Sequence, residues 1–208
     1  MTKGLRWRIL VLQAGLVLLL GFVAGIAFWA SNFTQSTVTS QLAAQNISFP
    51  TANNAAITAL PAVDAAAMRQ YAGETMTTGA QAEVYANNFI KVHLGEMGYT
   101  YSQASALARA NPTNAKDAAL VTTVFEGTTL RSMLLNAYGW WTVGTYALYA
   151  AIGLTIAAGL VVLSLVFELW QWSITARSEK LAPAAPPAPA FGSTPAGVGV
   201  AHFSRHDR

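Results

Sequence analysis

The sequence predicts an all-α membrane protein in which two transmembrane helices carry a small helical extracytoplasmic cap. Hydrophobic residues make up 53% of the chain and charged residues 10%, with a mean hydropathy of +0.38. That balance leaves few polar side chains to cover a surface facing water. Two long stretches, one near each end of the chain, lack charged residues altogether. Tryptophan is found only where these stretches begin or end.

The first predicted span covers residues 9–30 and follows a cytoplasmic N-terminus of residues 1–8. At about 1.5 Å per residue it forms a helix about 33 Å long, which is enough for a hydrocarbon core of about 30 Å. A cleaved signal peptide also starts with a basic segment, but its apolar stretch is usually only about 7–15 residues long. Although the segment Gly25-Ile26-Ala27 could be cut, we expect the helix to be retained as an anchor.

The second predicted span covers residues 141–172, and its membrane-crossing part runs from about Thr142 to Trp170. The uncharged stretch around it runs from Ser132 to Phe167 and would be about 54 Å long as one helix, too long for a bilayer. We therefore expect this helix to begin outside the membrane.

Basic residues indicate the orientation of the two spans. They flank the spans on the sides of the chain termini, at Lys3, Arg6, Arg8, Arg177, Lys180, Arg205 and Arg208. Because basic residues are enriched on the cytoplasmic side of membrane proteins, both termini are predicted to be cytoplasmic.

The tryptophans provide a separate indication of the span boundaries. The indole ring prefers the level of the lipid headgroups. All six tryptophans are predicted to lie at a membrane interface: Trp7, Trp29, Trp140, Trp141, Trp170 and Trp172.

Small residues four positions apart are candidates for helix packing. Gly21 and Gly25 form a G-x-x-x-G pattern in the first span, and Gly153 with Ala157 repeats the spacing in the second. Such pairs let two membrane helices approach closely. The alternative is that glycine and alanine are simply common in membrane helices. In either case we expect the two spans to pack on each other or on a partner.

The segment of residues 31–140 is predicted to be extracytoplasmic and mostly helical. Helical spacing begins at Gly79, a short helix is predicted from Ser102 to Ala110, and Thr113 is a candidate cap for a helix that continues into the second span. Residues 47–64, with two prolines, are predicted to be extended or turn structure. The tail of residues 173–208 is rich in proline, alanine and glycine and is predicted to be disordered.

The sequence contains few residues suited to catalysis. The chain has no cysteine, and His93 is the one histidine between the spans. His93 and Glu96 lie one helical turn apart and are the nearest approach to a metal pair, but a metal enzyme or a hydrolytic triad needs more such groups. The near-neutral segment between the spans also argues against nucleic acid. We expect no enzyme activity, no cofactor and no metal.

Short strings resemble a known family. They are Ser40-Gln41-Leu42-Ala43-Ala44-Gln45-Asn46-Ile47, Tyr85-Ala86, Ile90-Lys91-Val92-His93 and Thr100-Tyr101. The chain resembles small two-span membrane proteins of actinobacteria that often carry the label aromatic ring-opening dioxygenase. The resemblance covers about residues 9–170 and implies a bacterial cytoplasmic membrane. The label implies a metal site, which one histidine cannot supply, so only the architecture is carried over.

Together these features predict a non-catalytic accessory or structural subunit of a larger membrane complex. Its partners would be the lipid bilayer and other membrane protein subunits. The alternative is an extracytoplasmic sensor or ligand-binding protein that signals through a partner.

Overall fold

The computed structural model describes residues 3–181, with the side chains of residues 4–177, and is helical almost throughout. Within these residues no β-strand forms, and Ser48 and Thr75 make an isolated antiparallel bridge. The helices are α1 (Lys3–Ala44), α2 (Ala55–Thr58), α3 (Ala62–Arg69), α4 (Gly79–Val84), a π-helix called π1 (Tyr85–Ile90), α5 (Lys91–Glu96), α6 (Tyr101–Ala110) and α7 (Ala115–Leu181).

Two of these helices are long and apolar enough to cross a membrane. They are α1, with 42 residues, and α7, with 67 residues. Only 6% of the most apolar window of each helix is buried. A core helix of a water-soluble protein would bury most of that window, whereas here side chains such as Leu18 and Leu163 are 75% and 66% exposed. The prediction of an all-helical chain with two such helices is confirmed.

The chain divides into two compact units, Met1–Val166 and Phe167–Arg208. In the first unit α1 and α7 run antiparallel: Gln13 Nε2 lies 3.4 Å from Ser164 Oγ, and Gln35 Nε2 lies 3.5 Å from Thr145 Oγ1. Small residues are buried on both helices, at Ala24, Ser31, Gly144 and Ala151. On each helix they recur seven residues apart, the spacing that keeps one face against a partner helix.

The interhelical segment (residues 45–114) has its own hydrophobic core. Ile57, Met68 and Met76 are fully buried, and burial of each such side chain contributes about 1.5–3 kcal/mol. The same cluster includes Val38 and Leu42 of α1 and Leu134 of α7. The interhelical segment therefore folds against the end of α1 and the first half of α7.

Local sequence explains where the short helices begin. Thr78 and Thr100 each form a capping box, with Gln81 and Gln103 as the reciprocal partners, so the first backbone amides of α4 and α6 are satisfied. Where α5 ends, Gly98 has a φ of 73°, a conformation that favours glycine.

Some predictions for this region were wrong. Residues 47–64 are not all extended, because Asn54 caps α2 and Pro61 precedes α3 at a position where proline is compatible with a helix start. Asn114, and not Thr113, caps α7: its Oδ1 accepts from the Lys116 amide at 3.0 Å.

The described part of the second unit is the last part of α7. The predicted disorder does not begin at residue 173, because α7 continues to Leu181. The stretch before Pro183 lacks proline and glycine, and Ser173 Oγ donates to the Trp170 carbonyl at 2.8 Å. The remainder of the predicted tail, residues 182–208, lies outside the described residues.

Candidate functional site

His93 and Glu96, the nearest approach to a metal pair, do not belong to a larger cluster. Among the described residues no three His, Cys, Asp or Glu side chains form a group that could hold a metal ion. His93 Nδ1 donates to the Phe89 carbonyl at 2.9 Å, and the His93 and Phe89 rings pack at a tilt with centroids 4.5 Å apart. Helix geometry and aromatic packing are sufficient to explain the orientation of this ring.

The aromatic packing continues from His93 into the core. Phe89 contacts Tyr85 with ring centroids 4.9 Å apart, and Tyr85 meets Phe49 edge-on at 5.3 Å. Burial raises the pKa of the Tyr85 phenol above its ordinary value, because the charged form loses solvation there. This aromatic row forms part of the core of the interhelical segment.

A polar contact joins π1 to α7. Arg131 Nη2 donates to Asn87 Oδ1 at 2.9 Å, and its Nε donates to the Ala86 carbonyl at 3.3 Å. The neighbouring Asn88 donates to Asp64 Oδ1 of α3 at 2.8 Å. The π-helical turn thus directs two adjacent asparagines to different partners, and π turns are frequent at functional sites.

A second contact between the interhelical segment and α7 is made by glycine. Gly79, the first residue of α4, is buried, and a Cβ atom there would overlap the Trp141 side chain. Nearby, Gln81 accepts from the Thr77 and Thr78 amides and donates to Glu74 Oε2 at 2.8 Å. Gln81 thereby fixes the turn that brings Gly79 against α7.

Three of the four predicted packing residues lie away from the contact between α1 and α7. A Cβ atom added at Gly21, Gly25 or Gly153 would meet no described atom within 4 Å, apart from the backbone of its own helix. Gly144 instead makes the close approach: a Cβ there would overlap Thr34 Oγ1 and lie 3.0 Å from Gln35 Cγ. Ala157, the fourth predicted packing residue, is half-buried.

Gly21 and Gly25 form the floor of a shallow, open surface on α1. Phe22, Ile26 and Trp29 surround it, and the cavity has a volume of about 310 Å³. Because these glycines do not contact α7, this surface is accessible to another helix. Packing on a partner therefore remains a prediction for this pair.

Five of the six tryptophans expose much of the indole ring. The exposed fractions run from 41% for Trp172 to 66% for Trp29. Trp141 is the exception, since it is half-buried and packs on Gly79. The interfacial role of all six remains a prediction.

A groove lies between the last turns of α1 and the first half of α7, and we call it the interhelical groove. It has a volume of about 500 Å³, within the range of small-molecule sites. One wall is the face of α1 from Phe33 to Gln45, the other is the face of α7 from Leu130 to Trp140, and Ile47 closes one end. Among the described residues that line it, none is charged.

Neither this groove nor Gly144 was predicted from the sequence. The groove had one available signal, which is the placement of Gln41 and Gln45 four residues apart near the end of α1. Gly144 lies in a stretch with several glycines, and only the pairing of the helices distinguishes it from the others.

No protein-family model matches this chain, and no match was found among curated proteins or solved structures.

Proposed function

We propose that this chain is a non-catalytic integral protein of the bacterial cytoplasmic membrane and an accessory or structural subunit of a larger membrane complex. The observation that carries the proposal is the exposed surface of α1. Its leucine and phenylalanine side chains are exposed. Contact with lipid would remove this apolar surface from water, which is favourable. Within that surface, Gly21 and Gly25 offer a small-residue face that α7 leaves uncovered.

Membrane placement follows from the same surface and from the charges. Both termini are cytoplasmic in this proposal, and the interhelical segment is an extracytoplasmic cap. The basic residues in the first turns of α1 and near the end of α7 support this orientation.

The absence of cysteine permits a direct test of the orientation. Single cysteines would be introduced at Asn53, in an exposed turn, and at Gly4, at the exposed start of α1. A membrane-impermeant maleimide applied to intact spheroplasts should label Asn53→Cys, and should label Gly4→Cys only after lysis. The reverse pattern would contradict the proposed orientation, and equal labelling of both in intact cells would contradict membrane spanning.

The subunit role is tested by what co-purifies. The full chain, extracted in a mild detergent and analysed by mass spectrometry, should bring partner membrane proteins with it. The double variant Gly21→Leu/Gly25→Leu should reduce their yield by about tenfold, because leucine fills the surface on which a helix would pack. Gly15→Leu is the matched control, since Gly15 is equally open on the same helix. A chain that purifies alone, or equal losses in both variants, would contradict the proposal.

A second function, ligand binding on the extracytoplasmic side, has support from the interhelical groove. Its volume and its uncharged lining, with both apolar and hydrogen-bonding side chains, are typical of a ligand site.

A further inference from the structure

We propose that the interhelical groove binds one uncharged lipid from the outer leaflet of the membrane, with its chain toward the bilayer and its oxygen-bearing head toward Gln41 and Gln45. The proposal rests on the membrane orientation given above. It extends the second function by naming the class of ligand.

The chemistry of the lining indicates an uncharged ligand. The polar side chains of the groove carry amide or hydroxyl groups, and none of the described lining residues carries a charge that could form an ion pair with a phosphate or an ammonium group. A charged group that left water for this site would lose solvation without gaining a charged partner. Carbonyl and hydroxyl oxygens, by contrast, can accept hydrogen bonds from side-chain amides.

The groove has a polar end and an apolar end. Gln41 and Gln45 lie one turn apart near the end of α1, and no other described side chain hydrogen-bonds to their amides. Phe33 and Trp140 lie at the other end of the groove, toward the long apolar parts of the two helices, and each is 55% exposed. This order, with amides outside and apolar side chains inside, matches the orientation of a lipid in the outer leaflet.

The apolar end is continuous with the surface that the proposed bilayer covers. Trp29 stacks on Phe33 with ring centroids 5.4 Å apart, so one face of α1 passes from exposed apolar side chains into the groove without a polar interruption. A lipid could therefore move from the bilayer into the groove while its chain stays covered.

The test uses photoreactive lipids and the full-length protein. The chain would be reconstituted into phosphatidylcholine vesicles that contain a small fraction of either a photoreactive diacylglycerol or a photoreactive phosphatidylglycerol. After illumination, mass spectrometry would locate the modified residues. We expect the diacylglycerol probe on peptides that contain residues 33–45 and 130–140, with the anionic probe at least about fivefold weaker at the same positions.

Two variants separate groove binding from general lipid contact. Met133→Glu places a carboxylate on the α7 wall of the groove, opposite the end of α1 that carries Gln41 and Gln45. A charge there, which can also accept hydrogen bonds from these amides, should lower labelling of the groove by the diacylglycerol probe about tenfold or more. Val63→Glu is the matched control, since Val63 is 79% exposed and lies on α3, outside the groove; this variant should label as the parent does. Circular dichroism melting of both variants verifies that they fold.

Each other outcome contradicts the proposal. Equal labelling by both probes would show that the site does not select uncharged lipids. Labelling spread along both helices and unchanged in Met133→Glu would indicate surrounding lipid only. A cross-link from the groove to another protein chain would show that a protein occupies it. If the chain resists carbonate extraction but the groove is not labelled, this inference alone is contradicted. If carbonate releases the chain, the membrane placement itself is contradicted.

Discussion

Replacing Gly144 with leucine should separate α1 from α7 more effectively than the same change at any other described glycine of the α7 span. A Cβ atom at this position would overlap Thr34 Oγ1 and lie 3.4 Å from the Ser31 carbonyl oxygen. Neither atom can move away easily. The Thr34 hydroxyl donates to the Ala30 carbonyl at 2.8 Å, and the Ser31 carbonyl belongs to the helix backbone.

The expected magnitude follows from these contacts. Overpacking a closely packed site costs about 1–3 kcal/mol and sometimes more. Gly153→Leu is the matched control on the same helix, because Gly153 has open space around it; there the change should gain about 0.5–1 kcal/mol from helix propensity. The two variants should therefore differ by about 1.5–4 kcal/mol in the free energy of unfolding.

The assay is unfolding of the full-length protein in mixed micelles of a mild detergent and dodecyl sulfate. Tryptophan fluorescence follows the transition, since Trp141 is packed against Gly79 in the folded chain. Gly144→Leu should unfold at a lower mole fraction of dodecyl sulfate than the parent, and Gly153→Leu at the same or a higher one. Equal transitions in the two variants would refute the assignment of Gly144 as the point of closest approach.

Three further predictions concern the attachment of the interhelical segment and its core. Gly79→Leu should displace Trp141 and destabilise the fold by about 1–3 kcal/mol, measured by the same unfolding assay. Arg131→Leu removes the hydrogen bonds to π1 and should speed amide hydrogen exchange around Asn87, at a cost of about 1–3 kcal/mol; unchanged exchange there would contradict the role of the contact. Because the pKa of folded Tyr85 is raised by burial, its contribution to stability is complete below the ordinary tyrosine pKa of about 10 and is lost as the pH rises through the folded value. Tyr85→Phe should therefore show a shallower fall in stability at alkaline pH than the parent, and equal slopes would count against this reasoning.

The long helices were predictable because their signal is composition over many residues. An uncharged stretch of span length can be recognised without knowledge of tertiary contacts. The start of α7 outside the span followed from an uncharged stretch longer than a bilayer. The short helices α2 and α3 were missed, since prolines at helix starts and prolines in extended segments give the same local pattern. Pro61 is compatible with both until the burial of Met68 in the core favours the helix.

The packing residues were harder to predict for a different reason. The predicted packing residues, such as Gly21 with Gly25, are small residues four positions apart. The buried small residues of each long helix are instead seven positions apart. Spacing within one helix cannot reveal which face meets the other, because that face depends on how the interhelical segment fixes the register of the pair. The interhelical groove was missed for the same reason, since its two walls come from distant parts of the chain.

The closest approach and the groove are structurally linked, and this gives a final prediction. Gly144 lies one helical turn beyond Trp140, and Thr34 both contacts the Gly144 position and lines the groove. Leucine at 144 would push the two walls apart at the apolar end while leaving every lining side chain unchanged. If the groove binds a lipid chain through close contact, Gly144→Leu should lower labelling by the photoreactive diacylglycerol about as far as Met133→Glu does, although it adds no charge. If labelling instead persists in a folded Gly144→Leu protein, the walls do not need to be close, and binding by a shaped groove would be ruled out in favour of adsorption to one helix face.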